Sequence, residues 1–203
     1  MRIYTRRGDD GTTGLLFGGR VPKGSPRIEV NGVVDEAQAA LGVARAEAEA
    51  GSELDELLVA LERDLYVLMA EVATSPEHRD RLVAGTSLVT PAMVAALEAR
   101  IDDLTARFEM LTEFVVPGDN RCAAALDVAR TVVRRAERSW DAAGLGGDGE
   151  GEGGGPGEGS QVGPYLNRLS DLVWTMARWQ EGDRHLAART APRRRGARGG
   201  EPA

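Results

Sequence analysis

Apolar residues recur along this chain at helical spacing in several stretches. In the clearest, Leu54, Leu57, Leu58, Leu61, Leu65 and Leu68 fall three and four residues apart, which lines one face of a helix. The pattern predicts helices over about 33–50, 53–74, 91–108, 120–143 and 163–181. Gly51 breaks the first, and Ser52 with Asp55 reads as the N-cap pair of the second. Thr90 and Pro91 open the third as cap and first helical residue, and Asp119 is placed to cap the fourth. Residues 1–27 have no such period and read as an ordered loop or short extended segment. No convincing strand pair is present. The expected fold is all-α, a five-helix bundle with an ordered N-terminal loop, within a single domain over 1–182.

Two stretches interrupt the pattern. Residues 144–163 are mostly glycine and acid, too poor in apolar surface to offset the entropy of ordering, and read as a flexible insertion. Residues 183–203 read as a disordered Arg/Gly-rich tail. The net charge of −7 argues against a general nucleic-acid binder, which needs a basic face. No run of about 18 apolar residues could cross a membrane, and nothing resembles a signal peptide, so a cytoplasmic protein is expected. Cys122 is the sole cysteine and lies on an apolar helix stripe, where it reads as core filler. With it and only His78 and His185, both in polar segments, no zinc site is expected.

The fourth helix carries the candidate chemistry. Cys122, Ala125, Leu126, Ala129, Val133, Ala136 and Trp140 share one face. Arg130, Arg134 and Glu137 form a second stripe along its edge. Asp127 and Arg138 fall farther round, and Arg135 points nearly opposite the core. Guanidinium groups bordering an apolar face suit phosphates and carboxylates, although a solvated face with i,i+4 pairs gives the same pattern. The N-terminal loop combines glycines, threonine hydroxyls and arginines, as a phosphate-wrapping loop does, but lacks the P-loop signature. Lys23 is the only lysine among 25 basic residues, which hints at a preference for a compact ammonium there. On the fifth helix Tyr165, Leu169, Leu172, Val173 and Met176 form an apolar face. Asn167, Asp171, Trp174 and Arg178 lie opposite, and a tryptophan in that company suggests an interface or ligand surface.

Seven segments in one order, over about residues 1–180, resemble the PduO-type corrinoid adenosyltransferases. They are YTRRGDDGTTGLL at 4–16, GRVPK at 19–23, PRIE at 26–29, GVVDE at 32–36, FVVPG at 114–118, ARTVVRRAER at 129–138 and YLNRLSD at 165–171. The resemblance implies a homotrimer with ATP and a corrinoid bound between subunits. It implies transfer of the 5′-deoxyadenosyl group of ATP to Co(I) of a reduced corrinoid, either cobalamin or a precursor, with release of triphosphate. In that reading Thr5, Gly8, Thr12 and Thr13 wrap the triphosphate with Lys23, and Arg134, Glu137 and Asn167 hold ATP. Asp35 pairs with Arg130 across the subunit boundary, and Phe114 presses on the lower face of the corrin. Mg²⁺ arrives with ATP rather than on protein side chains, and a corrinoid reductase is an implied partner.

Some positions depart from the family pattern: Arg7 for a small residue, Asn31 for a tyrosine, Ala37-Gln38 for Leu-Asn, Asp119 for a glycine and Asp127 for a frequent histidine. They leave room for a non-catalytic relative that carries or senses ATP or adenosylated corrinoid. A helical RNA-binding or scaffold protein is a third reading, weakened by the acidic charge and the lack of aromatic platforms.

Overall fold

A computed structural model describes residues 3–109, 113–145 and 159–182, together with Leu186 and Ala188. Five long helices dominate: α1 (Pro26–Ala46), α2 (Glu53–Val72), α3 (Pro91–Thr105), α4 (Arg121–Ala142) and α5 (Val162–Glu181). A 3₁₀ turn, Pro76–Arg81, links α2 to α3. The expected five helices are present. A small antiparallel hairpin, β1 (Thr12–Gly14) with β2 (Arg20–Pro22), corrects the expectation of no strand pair. Strands of three residues are too short for period-two alternation to show in a sequence.

Local chemistry sets the helix ends. The first helix starts at Pro26, seven residues before the predicted 33, because Pro26 sits at the first helical position behind extended Ser25. Arg27 then turns inward and donates from Nη1 to the carbonyls of Val72 (2.7 Å) and Thr74 (2.9 Å), satisfying the end of α2. Ser52 accepts from the Asp55 amide while the Asp55 carboxylate accepts from Gly51, so the predicted cap pair forms. Thr90 caps α3. At α4 the cap is Asn120, whose Oδ1 accepts from the Ala123 amide at 2.8 Å, and not Asp119. A side chain three residues before its partner amide has the reach, and Asp119 is one residue too early.

The helices run alternately along one axis. Cys122 at the start of α4 meets the end of α1, and Asn120 donates to Gln180 at the end of α5. At the other end the start of α5 meets α2, where the Ser160 hydroxyl donates to Glu71 at 2.8 Å. α1 packs on α2 and α4, and α5 on α3 and α4. Between them Leu58, Leu65, Leu68, Leu126, Leu169, Leu172 and Met176 are fully buried, each stabilising the fold by about 1.5–3 kcal/mol. Leu65→Ala would cost about 2–5 kcal/mol by opening a cavity. The hairpin is fastened to the same end by the Leu16 amide, which donates to Ala73 at 2.9 Å. Glu71, fully buried, accepts from Val89 and Ser160 and pairs with Arg79, so it ties three segments there.

The ends of the predicted insertion are ordered: Leu145 and Val162 belong to the core. Residues 146–158, and most of 183–203, lie outside the described residues. Leu186 and Ala188 exchange backbone bonds with Val116 and Phe114 (2.8 and 2.7 Å). Among the described residues no helix is long and apolar enough to cross a membrane.

Candidate active site

A cleft of about 780 Å³ opens between α4, α5 and the strip at 113–117. The α4 stripe feeds it: Arg130 and Arg134 line its wall, one turn apart. Trp174, Ser170 and Asp171 of α5 form the opposite wall. Phe114, Val115 and Pro117 close one end, and Phe114 is 90% exposed. An aromatic ring that open to solvent, at the rim of a cleft, can receive the apolar face of a ligand.

The floor of the cleft corrects two sequence assignments. Asp127, expected farther round the helix, is buried, and Arg178, expected on the polar face of α5, is only 2% exposed. Arg178 Nη2 donates to Asp127 Oδ2 at 2.6 Å and to Glu181 Oε1 at 2.8 Å. The other oxygen of Asp127 accepts from Arg130 Nε at 3.3 Å. Two opposite charges on adjacent helices neutralise one another, which is what lets polar groups sit on otherwise apolar faces. Burial raises the Glu181 carboxyl above its ordinary value, with the Arg178 guanidinium opposing the shift. The signal for this network in the sequence is the i,i+3 spacing of Asp127 and Arg130. Its partner on α5 has no local signature.

Farther along α4, about 10 Å from Arg130 at 1.5 Å per residue, Glu137 accepts from Asn167 Nδ2 of α5 at 2.7 Å. Arg168 donates to the Asn167 oxygen and reaches Glu98 of α3 at 3.0 Å. The pair Glu137–Asn167 therefore lies toward the end of the bundle that carries the hairpin. Arg134 is exposed, and among the described residues its side chain has no hydrogen-bond or ion-pair partner.

The hairpin gathers part of the N-terminal set. A β-carbon on Gly8 would lie 3.2 Å from both Nζ and Cε of Lys23 and from the Thr12 carbonyl, so only glycine leaves the lysine its place over the loop. The Thr12 hydroxyl donates to Asp10 at 2.8 Å and accepts from Arg20 Nη2 at 2.7 Å. Hydrogen bonds from the Thr12 amide and hydroxyl, with Arg20 nearby, lower the Asp10 pKa. Thr12 thus builds the loop as much as it offers a donor, and Arg20 is a loop-forming residue that the sequence reading passed over. Thr5 accepts from the Arg7 amide at 3.4 Å, and Thr13 pairs with Val21 in the hairpin.

The described chain thus brings Phe114, Arg130 and Arg134 to one cleft, Glu137 to Asn167, and Gly8 to Lys23 and Thr12. Asp35 stands exposed on α1 and has no described partner within the chain; its neighbour Glu36 pairs with Arg135 of α4.

Known proteins resemble this chain over most of its length. The family model for cobalamin adenosyltransferase matches residues 3–180. The corrinoid adenosyltransferase of Citrobacter freundii is 40% identical over 180 residues, covering 89% of this chain and 95% of that protein. That of Mycobacterium tuberculosis strain H37Rv is 39% identical over 184 residues, covering 87% of each. A phenylalanine-to-alanine variant of the PduO-type ATP:corrinoid adenosyltransferase from Lactobacillus reuteri, solved with cobalamin and ATP, superposes with a TM-score of 0.77 at 26% identity, over 93% of this chain and 100% of that one. An arginine-to-lysine variant of the same enzyme, solved with ATP, gives 0.75 at 26% identity, over 92% and 100%. A match along nearly all of the helical bundle, from hairpin to the last turns of α5, places the chain in the cobalamin adenosyltransferase family.

Proposed function

We infer that this chain is an ATP:corrinoid adenosyltransferase, moving the 5′-deoxyadenosyl group of ATP onto Co(I) of a reduced corrinoid and releasing triphosphate. The observation that carries the reading is the continuous α4–α5 stripe. It joins an open cleft with an exposed aromatic at one end to Glu137–Asn167, on the side of the bundle where a glycine- and lysine-bearing hairpin sits. The corrinoid is proposed to lie in the cleft against Phe114, and ATP to run from the cleft toward the hairpin. The Co(I) electron pair forms the bond to C5′, the bond from C5′ to the triphosphate oxygen breaks, and its electron pair leaves on the triphosphate. The chain need supply no nucleophile. Its part is alignment and charge, which can lower a barrier by several kcal/mol.

Within that reading, Phe114 holds the lower corrin face and keeps water from it. Arg134 opposes the charge of the departing phosphates, Glu137 with Asn167 fixes the nucleoside, and Arg130 stands on the corrinoid side of the cleft. Lys23, Thr5, Gly8, Thr12 and Thr13 receive the triphosphate. Asp10 is exposed within hydrogen-bond distance of the Thr12 hydroxyl, and a carboxylate and hydroxyl there fit the surroundings of a Mg²⁺ that arrives on the ATP phosphates. Mg²⁺ would supply further positive charge at the phosphates.

A homotrimer with sites completed between subunits, Asp35 of one reaching Arg130 of another, is part of the same proposal, as are a cytoplasmic setting and a corrinoid reductase that supplies Co(I). Two features support the trimer. Val43 of α1 and Val128 of α4 are each 60% exposed on helices that pack together, and the cleft residue Arg134 is exposed in the single chain. Purified protein mixed with ATP and chemically reduced cobalamin should convert the Co(I) visible spectrum to that of the alkylated product. An unchanged spectrum with folded protein sinks the function. A monomeric mass by sedimentation equilibrium at micromolar concentration sinks the trimer.

A further inference from the structure

Arg178 is the most deeply buried charged group at the cleft. Its planar head makes three different contacts. It donates to Asp127 at 2.6 Å and to Glu181 at 2.8 Å, and its Cζ lies 5.8 Å from the Trp174 ring centroid. Two of these partners face the ligand space. Asp127 passes the constraint to Arg130 through its second carboxylate oxygen, and Trp174 forms the α5 wall. One side chain on α5 therefore touches the supports of both cleft walls.

We propose that Arg178 and Asp127 are positioning residues for the corrinoid side of the site: together they fix the Arg130 guanidinium and the Trp174 ring in the orientation that receives the corrinoid. This rests on the adenosyltransferase reading. The physical ground is the contrast in freedom. An arginine side chain left in solvent carries about 2 kcal/mol of rotamer entropy, and ordering it on ligand arrival weakens binding. Arg130, with only an exposed carboxylate to meet, would keep most of that freedom. Asp127 removes it beforehand, and Asp127 can do so because Arg178 holds its far oxygen in place. The pair also resists replacement by parts: removing one charge leaves the other buried and unpaired. Glu181 is the second carboxylate on Arg178, so that Asp127 and Glu181 together balance Arg178 and Arg130, and it does not line the cleft.

A positioning role differs from a structural one in where the loss appears. The informative variant removes both charges, Asp127→Asn with Arg178→Gln, and Glu181, whose carboxyl burial already pushes up, takes a proton once the guanidinium is gone. Binding of cobalamin is measured by visible absorbance titration, which needs no turnover, and the KM values for reduced cobalamin and for ATP are measured separately. The double variant should weaken cobalamin binding and raise the corrinoid KM by about tenfold, with the ATP KM within about twofold of wild type. In an Arg130→Ala background the same double change should add less than in wild type, because only the part that runs through Trp174 is left. Unaltered cobalamin binding in the folded double variant overturns the proposal. So does an equal loss with and without Arg130. If the double variant does not fold, Arg178→Lys keeps the buried charge but loses the fork and the flat face over Trp174. It should weaken cobalamin binding about threefold at a near-normal melting temperature, and wild-type binding there overturns the proposal equally. A wild-type protein that binds cobalamin but transfers nothing would fail the assigned reaction and leave this binding test decisive.

Discussion

The two halves of the α4–α5 stripe are built differently. Around Arg130 the protein has fixed its own parts: a buried arginine, two carboxylates and an indole ring hold one another before any ligand arrives. Around Arg134 and the hairpin the groups stand open. Arg134 has no side-chain partner among the described residues, and Lys23 rests on a loop of turns and short strands. On the proposed reading the first half receives a large, rigid macrocycle. On the same reading the second closes on a flexible, highly charged chain of phosphates, whose binding itself supplies the order. One helix serves both because its 3.6-residue period places consecutive arginines of the stripe in different surroundings.

The largest test of this contrast is Arg134. Arg134→Ala should lower kcat/KM for ATP by roughly 2–4 kcal/mol of transition-state stabilisation while leaving the melting temperature unchanged, since no internal contact is lost. Arg134→Lys should lose less. If folded Arg134→Ala keeps wild-type kcat/KM, the stripe is a solvated face and the ATP site lies elsewhere. Next in size is Phe114→Ala. Being 90% exposed, the ring contributes little to folding, but its loss should weaken corrinoid binding by about 2 kcal/mol, read by absorbance titration. A fall in melting temperature instead would mean that the strip supports the fold rather than the ligand.

Gly8→Ala probes the open half. The added methyl must displace the Lys23 ammonium or the Thr12 backbone, at about 1–3 kcal/mol, and the KM for ATP should rise while the corrinoid KM holds. A rise in both would join the two halves that the structure separates.

The pH dependence of folding gives a smaller signal of opposite sign at the two ends. Glu181 holds its proton more tightly folded than unfolded, so its contribution to stability is fullest below its ordinary value of 4.5 and declines as pH rises through the raised folded pKa. Asp10 is lowered, so its contribution is present above 3.8 and is lost as pH falls. Glu181→Gln should remove the decline above 4.5 from a series of melting temperatures. A series that keeps its slope assigns the decline to another group. The smallest effect belongs to Arg135→Ala. Its exposed pair with Glu36 should contribute at most about 1 kcal/mol to stability, and the rates should match wild type.

The helices were legible because burial repeats along each of them. Leu54 through Leu68 and Cys122 through Trp140 mark their faces without reference to anything else in the chain. Their ends were less so. Pro26 at the start of α1 was masked by the glycine-rich segment before it, and the stretch 26–32 gains its helical character from Arg27 reaching across to α2. The hairpin escaped notice because its order comes from Arg20, Asp10 and Thr12 meeting side by side, not from alternation.

The sequence by itself determined the helical class, the caps at Ser52 and Thr90, the arginine edge of α4 and the motif order that resembles one family. These depend on residues within a few positions of one another, whose geometry the backbone period dictates. Only the tertiary structure decided that Arg178 is buried, that Asp127 faces it, and that Arg130 is thereby held while Arg134 is not. Local spacing is silent about Arg178 because its partners lie on another helix, 51 residues away at Asp127. A charge reads as surface in any single helix until a second helix brings the opposite charge against it and makes its burial affordable.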